Sequence, residues 1–353
     1  MYTIIRIIGF IFISHSLLGQ DGFELVWSDE FNYTGLPDEK KWSYDVGDGC
    51  PNVCGWGNNE LEYYTEKRLK NARVEDGHLI ITALKEQMGT KEYSSARLVT
   101  REKGDWRYGR IEVRAKLPSG RGTWPAIWML STDWSYGGWP ESGEIDIMEH
   151  VGFEPNKIYG TVHSKAYHHS IGTQKGGEIA IEDCEDEFHT YVIEWSHGKI
   201  DFYVDDIKYF TFVKETGSDK WPFDKRFHLL LNIAVGGNWG GVEGVDESVF
   251  PQEMKVDYVR VYQLVTNTGS KLGTGELLLV PNPAEAGRFS IYSTSLDLGE
   301  IEIYSLSGKR IPHNKSVHDL GVDIDVYSSS RQMVMVVVKN DRNTRSLGKI
   351  LIN

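Results

Sequence analysis

Short runs of alternating or β-branched residues recur along this chain, broken every few positions by Gly, Asp or Asn, and few long helical periods interrupt them. Examples are His78-Leu79-Ile80-Ile81-Thr82-Ala83, Arg110-Ile111-Glu112-Val113-Arg114-Ala115, Tyr191-Val192-Ile193-Glu194-Trp195 and Lys199-Ile200-Asp201-Phe202-Tyr203-Val204. Successive side chains on a strand point to opposite faces, so each run offers one apolar face to a core. Many such runs in series predict an antiparallel all-β sandwich. The last run of this region is Lys255-Val256-Asp257-Tyr258-Val259-Arg260-Val261-Tyr262.

At 353 residues the chain is long enough for one large domain and a small one. A polar, small-residue stretch around Thr266-Asn267-Thr268-Gly269-Ser270 suits a linker over 265–275. Every Trp and Cys precedes it, Trp239 being the last Trp. Residues 276–353 again read as short strands, among them Leu277-Leu278-Leu279-Val280, Phe289-Ser290-Ile291, Ile301-Glu302-Ile303-Tyr304 and Met333-Val334-Met335-Val336-Val337-Val338. They predict a second, small all-β sandwich-like module.

At the other end, Arg6 precedes the apolar run Ile7-Ile8-Gly9-Phe10-Ile11-Phe12-Ile13, which continues to Leu17-Leu18-Gly19 and stops at polar Gln20-Asp21-Gly22. That is short for a membrane span and reads as a signal peptide over 1–19, so a secreted protein without stable membrane insertion is expected. A formal net charge of −13 argues against a nucleic-acid partner, which needs a basic footprint. In an oxidising compartment Cys50 and Cys54, with Pro51-Asn52-Val53 between them, suit a small loop disulfide, and Cys184 is left as a lone thiol.

The chemistry concentrates in Glu144-Ile145-Asp146-Ile147-Met148-Glu149. On a strand Glu144 and Asp146 share one face while Ile145 and Ile147 take the other. Strict alternation puts Glu149 on the wrong side; one extra residue in a β-bulge at Ile147-Met148 returns it to the acidic face. Three carboxyl groups on one rigid face resist simultaneous ionisation, so a proton is retained to higher pH. That is what glycoside cleavage requires: an ionised carboxylate to attack the anomeric carbon, and a protonated one to release the leaving oxygen and later activate water. Glu144 is the expected nucleophile, Glu149 the acid/base, and Asp146 the group that hydrogen-bonds one of them and helps hold the proton of Glu149. Calcium loops use Gly turns rather than a strand, so a calcium site is the weaker use of these acids.

Aromatic residues suit the apolar faces of sugar rings. Trp124 and Trp128, four apart in Gly122-Thr123-Trp124-Pro125-Ala126-Ile127-Trp128-Met129, share a face if this is a neighbouring strand, and could stack on successive sugars. Trp139 just before the acidic strand and Trp239 in Gly236-Gly237-Asn238-Trp239-Gly240-Gly241 extend that series. His163 falls on the next expected strand within reach of the acids, and Asn58-Asn59-Glu60 and Arg97 are candidates for sugar hydroxyls. No role is assigned to His168-His169.

These residues resemble glycoside hydrolase family 16, and within it the laminarinases. The resemblance spans roughly 23–264 and rests on Trp56-Gly57-Asn58-Asn59-Glu60-Leu61-Glu62-Tyr63-Tyr64, the Gly122–Met129 run, Gly143-Glu144-Ile145-Asp146-Ile147-Met148-Glu149 and the closing Val256–Tyr262 run. It implies a concave β-jelly roll for the catalytic domain at 21–264, an open cleft, retention of anomeric configuration, and the same roles for Glu144, Glu149 and Asp146. The six-residue acidic motif looks like the laminarinase, agarase and carrageenase groups, not the five-residue form of lichenases and xyloglucan transferases. The resemblance also implies that catalysis needs no cofactor. It further implies a structural calcium on the convex face, held by Asp257 with backbone oxygens of Glu30 and Gly77. The tail, with Val280-Pro281-Asn282-Pro283, Ile303-Tyr304-Ser305-Leu306-Ser307-Gly308-Lys309 and Leu347-Gly348-Lys349-Ile350-Leu351-Ile352, resembles the sorting domain of the type IX secretion system. That implies export through the periplasm of a Gram-negative bacterium, with that machinery as partner, to the medium or cell surface.

The expected function is therefore endo-hydrolysis of β-1,3-glucan by a monomeric enzyme. The alternatives are a same-fold hydrolase of agar, carrageenan, porphyran or mixed-linked glucan, or a non-catalytic glucan-binding protein. The last predicts loss of the acids, and all are present.

Overall fold

The structure, a computed structural model, describes residues 23–264 and, apart from short interruptions, 277–352. The expected signal peptide at 1–19 and linker at 265–275 lie outside the described residues.

Residues 23–264 form two stacked sheets. The first runs in the order Ile207–Val213, Lys199–Val204, His189–Trp195, Gly109–Lys116, Gln252–Leu264, His78–Met88, Lys91–Ser95, Glu62–Tyr64, with Phe23–Asp29 and Ala72–Glu75 as side additions. The second runs Lys175–Ala180, Lys157–His163, Glu144–Glu149, Thr123–Ser131, Phe227–Val235, Arg97–Val99, Ser43–Asp45, with Asp105–Trp106 paired to Phe227–Val235. Nearly all pairings are antiparallel; Glu62–Tyr64 beside Lys91–Ser95 is parallel. Each run quoted from the sequence as a strand lies within one of these elements. This is the sandwich that the alternation predicts, with the jelly-roll arrangement that the resemblance implies.

The period of two decides which side chains meet. On Phe227–Val235 the residues Phe227, Leu229, Leu231, Ile233 and Val235 enter the core between the sheets. His228, Leu230, Asn232 and Ala234 must then take the other face. Burial of a Leu or Phe in such a layer contributes roughly 1.5–3 kcal/mol, which makes register costly to shift. The second sheet is thereby held rigidly, and its outer face is free to carry polar groups.

Residues 277–352 form a separate seven-stranded sheet with its own core of aliphatic residues such as Ile303, Val336 and Ile350 around Phe289. This agrees with a second all-β module. The predicted loop disulfide is present between Cys50 and Cys54, and Cys184 is free and buried.

Candidate active site

The acidic strand carries its bulge where the spacing demands one. Against Thr123–Ser131, Leu130 faces Glu144, Trp128 faces Asp146, Ile127 faces Met148 and Ala126 faces Glu149, so Ile147 is the extra residue. Against Lys157–His163, His163 faces Glu144, Thr161 faces Asp146 and Tyr159 faces Glu149. Ile145, Ile147 and Met148 are all 0% exposed, so both bulge residues turn into the core and the acids stay on the outer face. Gly160 lies opposite the bulge, where a Cβ would meet the Tyr209 hydroxyl at 2.4 Å and the Phe202 ring at 2.8 Å. Only glycine lets the strand pass there.

Each glutamate is held by an indole. Trp139 Nε1 donates to Glu144 Oε2 at 3.1 Å, and Trp124 Nε1 donates to Glu149 Oε1 at 3.1 Å. His163 Nε2 stands 3.3 Å from Asp146 Oδ2 and 3.7 Å from Glu144 Oε1. Asp146 is 4% exposed, between the two glutamates along the strand. Burial pushes the Glu144 carboxyl up to about 8, and the charge of Asp146 adds to the effect. Burial, then Asp146, does the same to Glu149, also to about 8. Burial raises Asp146 well above the usual carboxylate range. Three carboxyls in one desolvated cluster therefore share protons, and their titration belongs to the cluster.

The aromatic and polar candidates gather around these acids. Trp124 and Trp128 are half-buried on one face of Thr123–Ser131, as expected. Both indoles are also engaged by neighbouring side chains. Trp239 packs edge-on against Trp124 at 5.6 Å and against Tyr159 at 4.9 Å. The Arg97 guanidinium lies 4.6 Å over Trp128, whose Nε1 donates to Asn232. The reason is electrostatic: Arg97 is 7% exposed, and a cation so buried needs Asp45 at 3.1 Å and the faces of Trp56 and Trp128 around it. Asn58 donates to Glu60 at 3.2 Å, and its carbonyl accepts from the Asn238 amide.

Some participants were not visible in the sequence. His169 packs against Trp139 at 5.1 Å and His163 at 5.3 Å, and His168 meets Trp139 at 5.6 Å. The doublet in a loop was the only available signal. Glu62, which pairs with the candidate Glu60 in a second buried acidic pair, was also missed; burial and the charge of Glu60 push it well above its ordinary range.

The suggested calcium ligands are brought together in part. Glu30 follows a strand whose last pairing is Asp29 with Val259, and Gly77 precedes one that pairs Leu79 with Val256, so along one edge of Gln252–Leu264 the two strands end at positions flanking Asp257. The Asp257 carboxylate is itself paired with Arg114 at 2.5 Å. Among the described residues, the cluster of potential metal-binding side chains is instead Glu144, Asp146 and His163, within 4.8 Å of one another.

The model of the glycosyl hydrolases family 16 matches residues 59–260, a stretch that contains Glu144, Asp146, Glu149 and the indoles of Trp124, Trp128, Trp139 and Trp239. The chain belongs to that family. It is 55% identical over 269 residues to a β-glucanase of Rhodothermus marinus, covering 72% of this chain and 92% of the relative. The laminarinase structure from Rhodothermus marinus superposes with a TM-score of 0.67 at 56% identity, over 69% of this chain and 98% of that one. A non-specific endo-β-1,3(4)-glucanase of family 16 superposes with a TM-score of 0.65 at 49% identity, over 69% and 92%. As a family 16 member, the protein is a glycoside hydrolase that needs no cofactor for catalysis.

Proposed function

We propose that this family 16 enzyme cleaves internal β-1,3-glucosidic bonds of laminarin-like glucans with retention of configuration. The observation that carries it is the bulged strand with Glu144 and Glu149 on one face, each gripped by its own indole, and Asp146 recessed between them. Glu144 attacks the anomeric carbon while Glu149 gives its proton to the departing glycosidic oxygen. A glycosyl–Glu144 ester forms. Glu149, now a carboxylate, takes a proton from water, whose oxygen displaces Glu144 and restores both groups. Asp146 and His163 hold Glu144 in line, and Asp146 keeps a proton available to Glu149. Arg97, Asn58 and the tryptophans Trp124, Trp128, Trp139 and Trp239 line the path of the glucan.

The names of the relatives support this reading; the non-specific glucanase among them favours some tolerance of β-1,4 links. Incubation with laminarin, lichenan, agarose and carrageenan should release short oligosaccharides from laminarin fastest. Intact laminarin beside degraded agarose would overturn the β-1,3 assignment. A leader at 1–19 and a sorting tail fit an enzyme that meets polymers too large to enter the cell. The material for this panel should therefore be recoverable from the culture medium with the leader removed, and its retention inside the cells would overturn the export reading.

A calcium held by Asp257 and the carbonyls of Glu30 and Gly77 would be structural; the pairings of Asp29 with Val259 and Leu79 with Val256, on either side of Asp257 in sequence, support this reading. It would draw the Asp257 carboxylate away from Arg114. Chelation with EDTA should then lower the melting temperature without changing the cleavage pattern, and an unchanged melt would exclude that site.

A further inference from the structure

The wall of the site at residues 48–59 is under backbone strain. Gly55, Trp56 and Gly57 are consecutive left-handed residues, with φ of 60°, 53° and 81°, and Asn59 follows at 57°. A residue with a Cβ pays about 1–2 kcal/mol in that region. Such conformations persist only where the surroundings over-determine them, and they gather at ligand clamps.

Three sets of contacts do so here. The Trp56 ring lies 4.6 Å from the Arg97 guanidinium and 5.5 Å from the Tyr64 ring, and its Nε1 donates to the Gly47 carbonyl at 3.3 Å. Directly upstream, the Cys50–Cys54 bridge closes a tight loop. Across the base of that loop the Val53 amide donates to the Gly49 carbonyl at 2.7 Å, and the Gly55 amide to that of Asp48 at 2.8 Å. A Cβ on Gly49 would stand 2.0 Å from the Val53 oxygen, so the loop has no slack. Downstream, the Asn238 amide donates to the Asn58 carbonyl at 2.6 Å, and Asn59 Nδ2 to Asn238 Oδ1 at 2.7 Å. The wall is thereby tied to the loop that carries Trp239.

We propose that the Cys50–Cys54 bridge is a positioning device for substrate binding. It holds Trp56 in its left-handed conformation, and through Trp56 it keeps Arg97, Asn58 and the Trp239 loop in register with the bound glucan. This rests on the reading of that face as the glucan site. The bridge touches no reacting group, and Glu144 and Glu149 are held by Trp139 and Trp124 instead. Its loss should therefore weaken binding and leave the chemical step alone.

Dithiothreitol supplies the two electrons and two protons that convert the bridge to two thiols, itself becoming a cyclic disulfide. Cys184 is already a thiol and is unchanged by it. Complete opening is verified by alkylation and mass measurement. The KM for laminarin is expected to rise about five- to tenfold, the loss of one or two hydrogen-bond-sized contacts, with kcat unchanged. The double variant Cys50→Ser/Cys54→Ser should match the reduced enzyme. Trp56→Ala should show the same rise while oxidised, with no further rise on reduction. An unchanged KM after complete reduction, an equal fall in kcat, or a Trp56→Ala enzyme still sensitive to reduction would each overturn the proposal. Failure of the oxidised enzyme to cut laminarin counts instead against the glucanase reading, and the same comparison is then made on the polymer that is cut.

Discussion

Glu144→Ser should leave laminarin uncut while the enzyme still binds it. Without a carboxylate to take the anomeric carbon there is no glycosyl ester, and kcat should fall on the order of 10⁴-fold or more. Arg97, Asn58 and Trp239 are untouched, so calorimetry should find the affinity for a laminari-oligosaccharide close to that of the native enzyme. Azide is small enough to enter the space vacated by the carboxylate. With an activated glycoside it should give a glycosyl azide of inverted configuration, because it attacks from the side Glu144 occupied. Substantial residual hydrolysis without added azide would remove Glu144 from its role.

Glu149→Gln should cost about 10²–10⁴-fold on laminarin, the usual contribution of a positioned proton donor. The loss should shrink for an aryl glycoside whose leaving group departs without a proton. The pH dependence follows from the cluster: burial and the charge of Asp146 push both Glu144 and Glu149 up to about 8, so the cluster keeps a shared proton for the acid well above the ordinary carboxylate range and gives it up as pH rises through that value. Native activity should accordingly extend well above the ordinary carboxylate range and fall near pH 8. In Glu149→Gln that alkaline limb should be absent for the aryl substrate. Asp146→Asn removes a neighbouring negative charge, which favours ionised Glu149, so its alkaline limb should move to lower pH. An alkaline limb unchanged in Glu149→Gln would show that another group supplies the proton.

Much of this site could be read from residue order alone, and the reason is local. Alternation along a strand assigns Glu144 and Asp146 to one face before any partner is known. The five-residue spacing to Glu149 admits a shared face only through a bulge, and Ile147 takes that place. The loop disulfide, too, joins cysteines only four positions apart.

What residue order could not supply is the set of neighbours brought in from far along the chain. Phe227–Val235 inserts beside Thr123–Ser131 and delivers Asn232 to Trp128. Arg97, two strands away from Trp128 in the sheet, closes over that indole because its buried charge must be shared with aromatic faces and Asp45. His168 and His169 meet Trp139 only because two loops at one end of the sheet fold together. Strand periodicity, a property of the chain itself, determined which residues face the substrate side. The order of strands within the sheet, a balance over the whole core, decided which of those residues touch.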